Sequence, residues 1–287
     1  MGEKSNKVII TAALSGAGTF KQNNPAVPYT PEEFADEAEK AYKAGAAVVH
    51  VHAKRDDGMP THDIQRIRDT YNAIRDRVPE VIVQLSSAVG PVATAEQRIA
   101  QIIDIKPEMA SLNTNTMNFS FLDRKTGTII YDNVFTNTFT MLQDFGKAME
   151  SNNVKPEVEV YDLGGLDNFL LINNQGFFSK PYNINFVWGV AGGQKFRPDV
   201  FVSMVNALPS DSNFSTCGVG TDQFQSCLQS LIAGGNIRVG LEDNTRMPNG
   251  ELAKGNYEQV EWAVKAVHSI GREVATAGEA REILGLK

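Results

Sequence analysis

Short apolar, β-branched runs alternate with longer stretches of helical periodicity along the whole chain. The short runs predict strands over 7–14, 48–53, 81–86, 109–114, 156–162, 183–188, 215–220 and 236–243. The stretches between them predict helices over 31–44, 62–77, 94–104, 136–152, 163–175, 197–207, 222–233 and 256–270. Eight such units in 287 residues fit the α/β class and a (β/α)8 TIM barrel of roughly 250 residues. A doubly wound open sheet is the competing arrangement. No linker or low-complexity segment interrupts the pattern, so residues 1–287 are expected to form a single barrel domain. Thr30-Pro31-Glu32-Glu33 marks one helix start, with an N-cap threonine, a proline at the first helical position and a capping-box glutamate. Thr94-Ala95-Glu96-Gln97 and Thr276-Ala277-Gly278-Glu279 repeat that spacing, the last opening an extra C-terminal helix over 278–286.

A barrel puts its chemistry at the C-terminal ends of its strands. The second predicted strand reads Val48-Val49-His50-Val51-His52-Ala53, and it holds two of the four histidines in the chain. Side chains alternate along a strand, so His50 and His52 point to one side. Two imidazoles about 6–7 Å apart on one strand face can converge on a single cation. Core histidines satisfied by carbonyls are the alternative. His62 and His268 fall in predicted helices and are expected to be bystanders.

The eighth strand supplies the partner. In Arg238-Val239-Gly240-Leu241-Glu242-Asp243-Asn244, Arg238, Gly240 and Glu242 share a face. An inward arginine and glutamate are costly in a sealed core unless paired or bound to something. Strands two and eight flank strand one, so Glu242 can meet both histidines across the mouth. Two His and one Glu would leave a tetrahedral Zn2+ with an open position, the mark of a catalytic site; the same set also suits Fe2+, Co2+ or Mn2+. Asp243 is a candidate general base beside Arg238. Arg238 lies about 13 Å below Glu242 if the strand runs on unbroken, so only its long side chain could reach the chemistry. Glu157 and Glu159 share the inward parity of strand five, with Asp162 capping it, and one of them is expected in the site. The polar strand ends at Ser86-Ser87-Ala88 and Asn113-Thr114-Asn115-Thr116 suit a substrate carboxylate or oxyanion.

Composition narrows the field. A net charge of −7 and no basic stripe exclude nucleic acid as the expected partner. No run approaches the roughly 18 apolar residues of a membrane span, and no signal peptide is read at the N-terminus. Two cysteines, Cys217 and Cys227, make no disulfide framework. A cytoplasmic location is expected.

Taken in order, these segments resemble the β-keto acid cleavage enzymes, typified by 3-keto-5-aminohexanoate cleavage enzyme. The resemblance is carried by Thr30-Pro31-Glu32-Glu33, by Ala44-Gly45-Ala46 with His50-Val51-His52, and by Lys155-Pro156-Glu157-Val158-Glu159-Val160. Gly234-Gly235-Asn236-Ile237-Arg238-Val239-Gly240-Leu241-Glu242-Asp243 and Ala275-Thr276-Ala277-Gly278-Glu279-Ala280-Arg281 complete it. It implies a (β/α)8 barrel holding Zn2+ through His50, His52 and Glu242. The implied reaction takes a β-keto acid and acetyl-CoA, as co-substrate, to acetoacetate and a new acyl-CoA. Proton transfer falls to Arg238 and Asp243 with a strand-five glutamate, while Ser86 and Thr116, near Asn113, would hold the substrate carboxylate. A homodimer or homotetramer is expected on the same ground.

Two stretches depart from the family pattern. Members acting on the amino-hexanoate carry an acid after strand one for the substrate ammonium, whereas Leu14-Ser15-Gly16-Ala17-Gly18-Thr19-Phe20 holds none. A buried, unpaired ammonium is expensive, so the aminated substrate is not expected to be preferred. The glycines usual after Ser86 are replaced by Ser87-Ala88-Val89. A metal-dependent hydrolase and a non-enzymatic ligand-binding barrel are the other readings of the same residues.

Overall fold

A computed structural model describes residues 6–90, 93–123 and 126–286. Eight parallel strands form the sheet: β1 (Ile10–Ser15), β2 (Val48–Val51), β3 (Ile82–Leu85), β4 (Met109–Asn113), β5 (Lys155–Val160), β6 (Tyr182–Trp188), β7 (Ser212–Gly218) and β8 (Ile237–Val239). Neighbours pair in chain order, and β8 pairs with β1. Between β7 and β8 the seam is bridged by the Asn236 N–H donating to the Phe214 carbonyl at 2.8 Å. The sheet therefore closes into a barrel, and the doubly wound arrangement is set aside.

Helices α1 (Pro31–Ala44), α2 (Ile64–Arg77), α3 (Ala95–Ile105), α4 (Phe139–Asn152), α5 (Leu163–Asn173), α6 (Pro198–Asn206), α7 (Asp222–Ile232) and α8 (Asn256–Ser269) wrap it. The capping boxes read from Thr30, Thr94 and Thr276 are all formed. Outward valines and isoleucines of the strands meet the helices in two apolar layers. One layer joins Val49, Val51, Val83 and Val239 to Phe34, Ile67, Ile74 and Val260; the other joins Val158, Val160 and Phe186 to Phe145, Phe169 and Phe201. Among the described residues no helix is long and apolar enough to cross a membrane.

The barrel interior is polar. Thr11, Gln84, Ser111, Glu157, Asn183, Asn185 and Arg238 are all buried. The C-terminal helix α9 (Ala277–Leu284) plugs the floor. There the inward Asn183 and Asn213 donate from Nδ2 to the Leu284 and Ile283 carbonyls at 3.1 and 2.7 Å, which would otherwise be orphan groups at a helix end.

Three expectations need correction. The eighth strand stops at Val239 rather than Asp243, because Gly240 adopts φ +153° and the Asp243 and Asn244 N–H groups fold back onto its carbonyl. His62 is exposed in the loop before α2, not within it. A β-hairpin, Met117–Leu122 paired with Ile129–Phe135, is inserted between β4 and α4, so α4 begins at Phe139, after its cap Thr138, rather than at 136. The period-two spacing of Phe119, Phe121, Tyr131 and Phe135 is visible in the sequence, but eight strands already account for a barrel and nothing local announces a ninth and tenth.

Candidate active site

The two imidazoles stand side by side at the end of β2, their ring centroids 5.2 Å apart. Each uses Nδ1 on a carbonyl oxygen: His50 on Gln84 Oε1 at 2.6 Å, His52 on the Ala88 backbone oxygen at 3.1 Å. These oxygens only accept, so Nδ1 carries the proton of each neutral ring and Nε2 presents a lone pair. Both lone pairs face Glu242, at 3.7 Å to Oε2 for His50 and 3.3 Å to Oε1 for His52. Burial first, and the Arg238 charge second, push the His50 pKa down to about 3, so the ring stays neutral.

Glu242 reaches this point from the turn after β8. Gly16 makes room for it, since a Cβ there would fall on the glutamate side chain. Burial alone would raise the Glu242 carboxyl, but the Arg238 guanidinium outweighs it and holds it well below the usual range. Its Oε2 is buried and makes no hydrogen bond. One donor atom from each of His50, His52 and Glu242 lies within 4.8 Å of the others. Two imine nitrogens and an ionised, orphaned carboxylate oxygen fit a divalent cation, and the Nδ1 partners are the orienting contacts that such ligands require.

Arg238 is the hub on the other side of Glu242. Its Nε and one terminal nitrogen clasp both oxygens of Asp243 at 2.9 Å each. The same terminal nitrogen donates to Glu242 Oε1 at 2.7 Å, and the other reaches Glu159 Oε1 at 3.1 Å. Because the chain turns at Gly240, both carboxylates come to the guanidinium, and the 13 Å gap expected of a straight strand does not arise. Burial raises the Asp243 carboxyl to about 6 against the pull of Arg238, with Glu242 adding to the rise. Burial likewise raises Glu159 to about 8, opposed by Arg238.

Of the strand-five pair, Glu159 therefore joins the cluster. Glu157 lies one layer deeper, level with Ser111 and Asn183, with Oε2 bonded to nothing. Asp162 caps α5 by accepting from the Gly165 N–H at 2.9 Å.

The polar strand ends are organised as hydrogen-bond donors. Ser86 Oγ accepts from the Ala88 N–H at 3.2 Å and Thr116 Oγ1 from the Asn137 N–H at 2.8 Å. Each hydroxyl keeps its hydrogen to donate to another acceptor. Asn113 accepts from the Tyr161 hydroxyl at 2.8 Å and leaves its own Nδ2 buried without a partner.

Behind them sits a support that sequence reading missed. The buried Arg98 donates to the Ser87 and Thr136 carbonyls and to Asn137 Oδ1 at 2.9, 3.1 and 2.7 Å. Its guanidinium also lies 5.1 Å from each of the Phe135 and Phe145 rings. Gln84, Lys54 and Tyr161 were likewise not singled out. Gln84 had a signal, the same strand parity as Ser86; an arginine on a helix had none.

A profile of the beta-keto acid cleavage enzyme family matches residues 7–286. The chain is 44% identical over 281 residues to the 3-keto-5-aminohexanoate cleavage enzyme of Fusobacterium nucleatum subsp. nucleatum, covering 98% of both chains. It is 33% identical to the 3-dehydrocarnitine:acetyl-CoA trimethylamine transferase of Rhizobium meliloti, over 98% of this chain and 97% of that one. It is 31% identical to the 3-oxoadipate:acetyl-CoA acetyltransferase of Cupriavidus necator, over 97% and 94%. Among solved structures, apo ObcA superposes with a TM-score of 0.72 at 22% identity, over 91% of this chain and 66% of ObcA; at that identity the likeness speaks for the fold. With a profile match over nearly its whole length and relatives of this similarity, the chain belongs to the β-keto acid cleavage enzyme family.

Proposed function

We propose that this protein condenses a β-keto acid with acetyl-CoA and releases acetoacetate and the CoA thioester of the shortened acid. The observation that carries the reading is the placement of His50, His52 and Glu242 against the Arg238–Asp243 pair. The family supplies the reaction class, since relatives bear the names of acetyl-CoA-dependent transferases. Zn2+, held by His50, His52 and Glu242, would supply Lewis-acid polarisation of the keto acid's oxygens.

The chain's own residues do the rest. Ser86 and Thr116 hold the substrate carboxylate with their hydroxyl hydrogens, and Asn113 Nδ2 donates beside them. Asp243 takes a proton from the methylene between the carboxylate and the keto carbon. That carbon then attacks the acetyl carbonyl and expels the CoA thiolate. The thiolate adds to the original keto carbon, the older carbon–carbon bond breaks, and Asp243 returns the proton to acetoacetate. Arg238 keeps Asp243 in place through two bonds and balances its charge, and Glu159 holds the guanidinium from the far side. A base raised to about 6 is matched to work near neutral pH.

The same reading takes the protein to be cytoplasmic, supported by two buried free cysteines, and a homodimer or homotetramer, which light scattering measures. The activity test is a CoA-thioester assay by mass spectrometry. Metal-loaded protein, acetyl-CoA and a panel of β-keto acids are expected to give acyl-CoA and acetoacetate, and a Glu242→Gln variant neither. Absence of product with every keto acid, metal being bound, overturns the reading in favour of a hydrolase or a non-enzymatic barrel.

A further inference from the structure

The hairpin after β4 lies across the barrel mouth. Its first strand makes an isolated antiparallel bridge from Ser120 to Ala191, and Asn118 presses on Gly192, both in the loop after β6. On the far side, Phe121 reaches the loop after β1. A Cβ on Gly18 would stand 2.5 Å from both Cε1 and Cζ of that ring. The hairpin thus spans from the β6 loop to the β1 loop, over the end of the barrel where His50, His52 and Glu242 stand. The β1 loop is itself fastened to the site, because the Thr19 hydroxyl donates to the Glu242 carbonyl at 3.0 Å.

We propose that Phe121, seated on Gly18, is the wall that receives the distal group of the β-keto acid, and that this group is neutral and apolar. The proposal rests on the β-keto acid reading above and names the substrate class within it. Three observations carry it. Phe121 is half-buried, and its neighbours Phe119 and Tyr131 are aromatic, each with its centroid 5.4 Å away. No side chain fits at Gly18 unless the ring moves, so the loop offers neither an acid nor a base at that contact. Lys54, beside the loop, is of the wrong sign for an ammonium: it is fully buried, and its Nζ donates to the Thr19 and Gly58 carbonyls at 2.7 and 3.0 Å. That ammonium lies 4.8 Å from the centre of the Phe20 ring. With its bonds directed to carbonyls under aromatic cover, Lys54 is not presented to a carboxylate tail either.

The test measures kcat/KM for acyl-CoA formation with four keto acids: 3-oxohexanoate, 3-oxopentanoate, 3-keto-5-aminohexanoate and 3-oxoadipate. The apolar 3-oxohexanoate is expected to exceed each charged acid by about tenfold or more, the scale on which an apolar pocket discriminates. Phe121→Ala is expected to raise KM for 3-oxohexanoate about tenfold while changing 3-oxopentanoate several-fold less, and Phe121→Leu to restore most of the difference. A preference for the aminated or the dicarboxylic acid overturns the proposal. So does an equal loss on both tail lengths in Phe121→Ala, which marks a roof that only shields the site. Failure of all four acids with metal bound defeats the reaction itself, whereas turnover without tail discrimination defeats only the wall.

Discussion

Arg238 and Asp243 face each other edge to edge, with two parallel hydrogen bonds of 2.9 Å joining one guanidinium to both oxygens of one carboxylate. A forked pair of this kind fixes a plane as well as a distance. Asp243→Asn keeps the shape and removes the proposed base. It is expected to lower kcat by about 10²–10⁴-fold, the usual worth of a positioned general base, with bound metal unchanged. Loss of metal together with activity in that variant would reassign Asp243 to the metal site.

Arg238→Lys should fail as a conservative change. A lysine cannot serve Asp243, Glu242 and Glu159 at once, and three carboxylates would share one compact ammonium. Activity is expected to collapse and thermal stability to fall; a variant with an unchanged melting temperature would show that Arg238 is not the hub.

The metal centre is tested by content. His50→Ala, His52→Ala and Glu242→Gln should each take bound zinc from about one per chain toward zero on elemental analysis, since each removes one of the three proposed ligands. Gln84→Leu should keep the fold but weaken zinc about 10–100-fold in a chelator competition, because it removes the acceptor that orients His50.

Glu157 gives a prediction about pH. Burial raises its carboxyl above the usual value, with Arg238 opposing, so the folded state favours the protonated form. The sign follows: its contribution is intact below the unfolded pKa and is lost as pH rises through the folded one. Glu157→Gln, which stays neutral, should therefore melt a few degrees higher than the native protein at pH 8 and together with it near pH 4. Equal melting temperatures at both pH values would remove the burial argument.

Arg98→Met should destabilise without touching a reacting group. It abandons two buried acceptors, Ser87 O and Asn137 Oδ1, at about 1–3 kcal/mol apiece, and a part-buried third, Thr136 O. A chain of this size loses about 2–4 °C per kcal/mol, so a drop of roughly 5 °C or more is expected by calorimetry. Because Asn137 also holds Thr116, KM for the keto acid should rise alongside.

Most of the fold was legible because it is written in local terms. Alternating periodicity placed every barrel strand and helix within a few residues, and Thr30, Thr94 and Thr276 announced their own helix starts. His50 and His52 were legible as a pair because parity along a strand is a backbone property. The path of Glu242 was not. The parity that pointed it inward assumed a strand running to Asp243, yet the strand ends at Val239 and a turn at Gly240 delivers both acids. A glycine in a strand-like run signals such a break only once the neighbouring strand, here Ala13, is seen pressing on it.

The sequence by itself determined the periodic scaffold, the paired histidines and the family motifs, since these depend on residues a few positions apart. Only the tertiary structure decided the rest. It chose Glu159 over Glu157, since reach to Arg238 depends on which layer of the barrel each occupies. It turned the Nδ1 of each histidine onto Gln84 and Ala88, and buried Arg98 against Ser87 and Asn137. It also carried Phe121 from an unforeseen hairpin to Gly18, a contact between residues about a hundred positions apart. Such contacts are selected by the packing of the whole barrel, where burial, sterics and charge are settled together, and no local pattern encodes them.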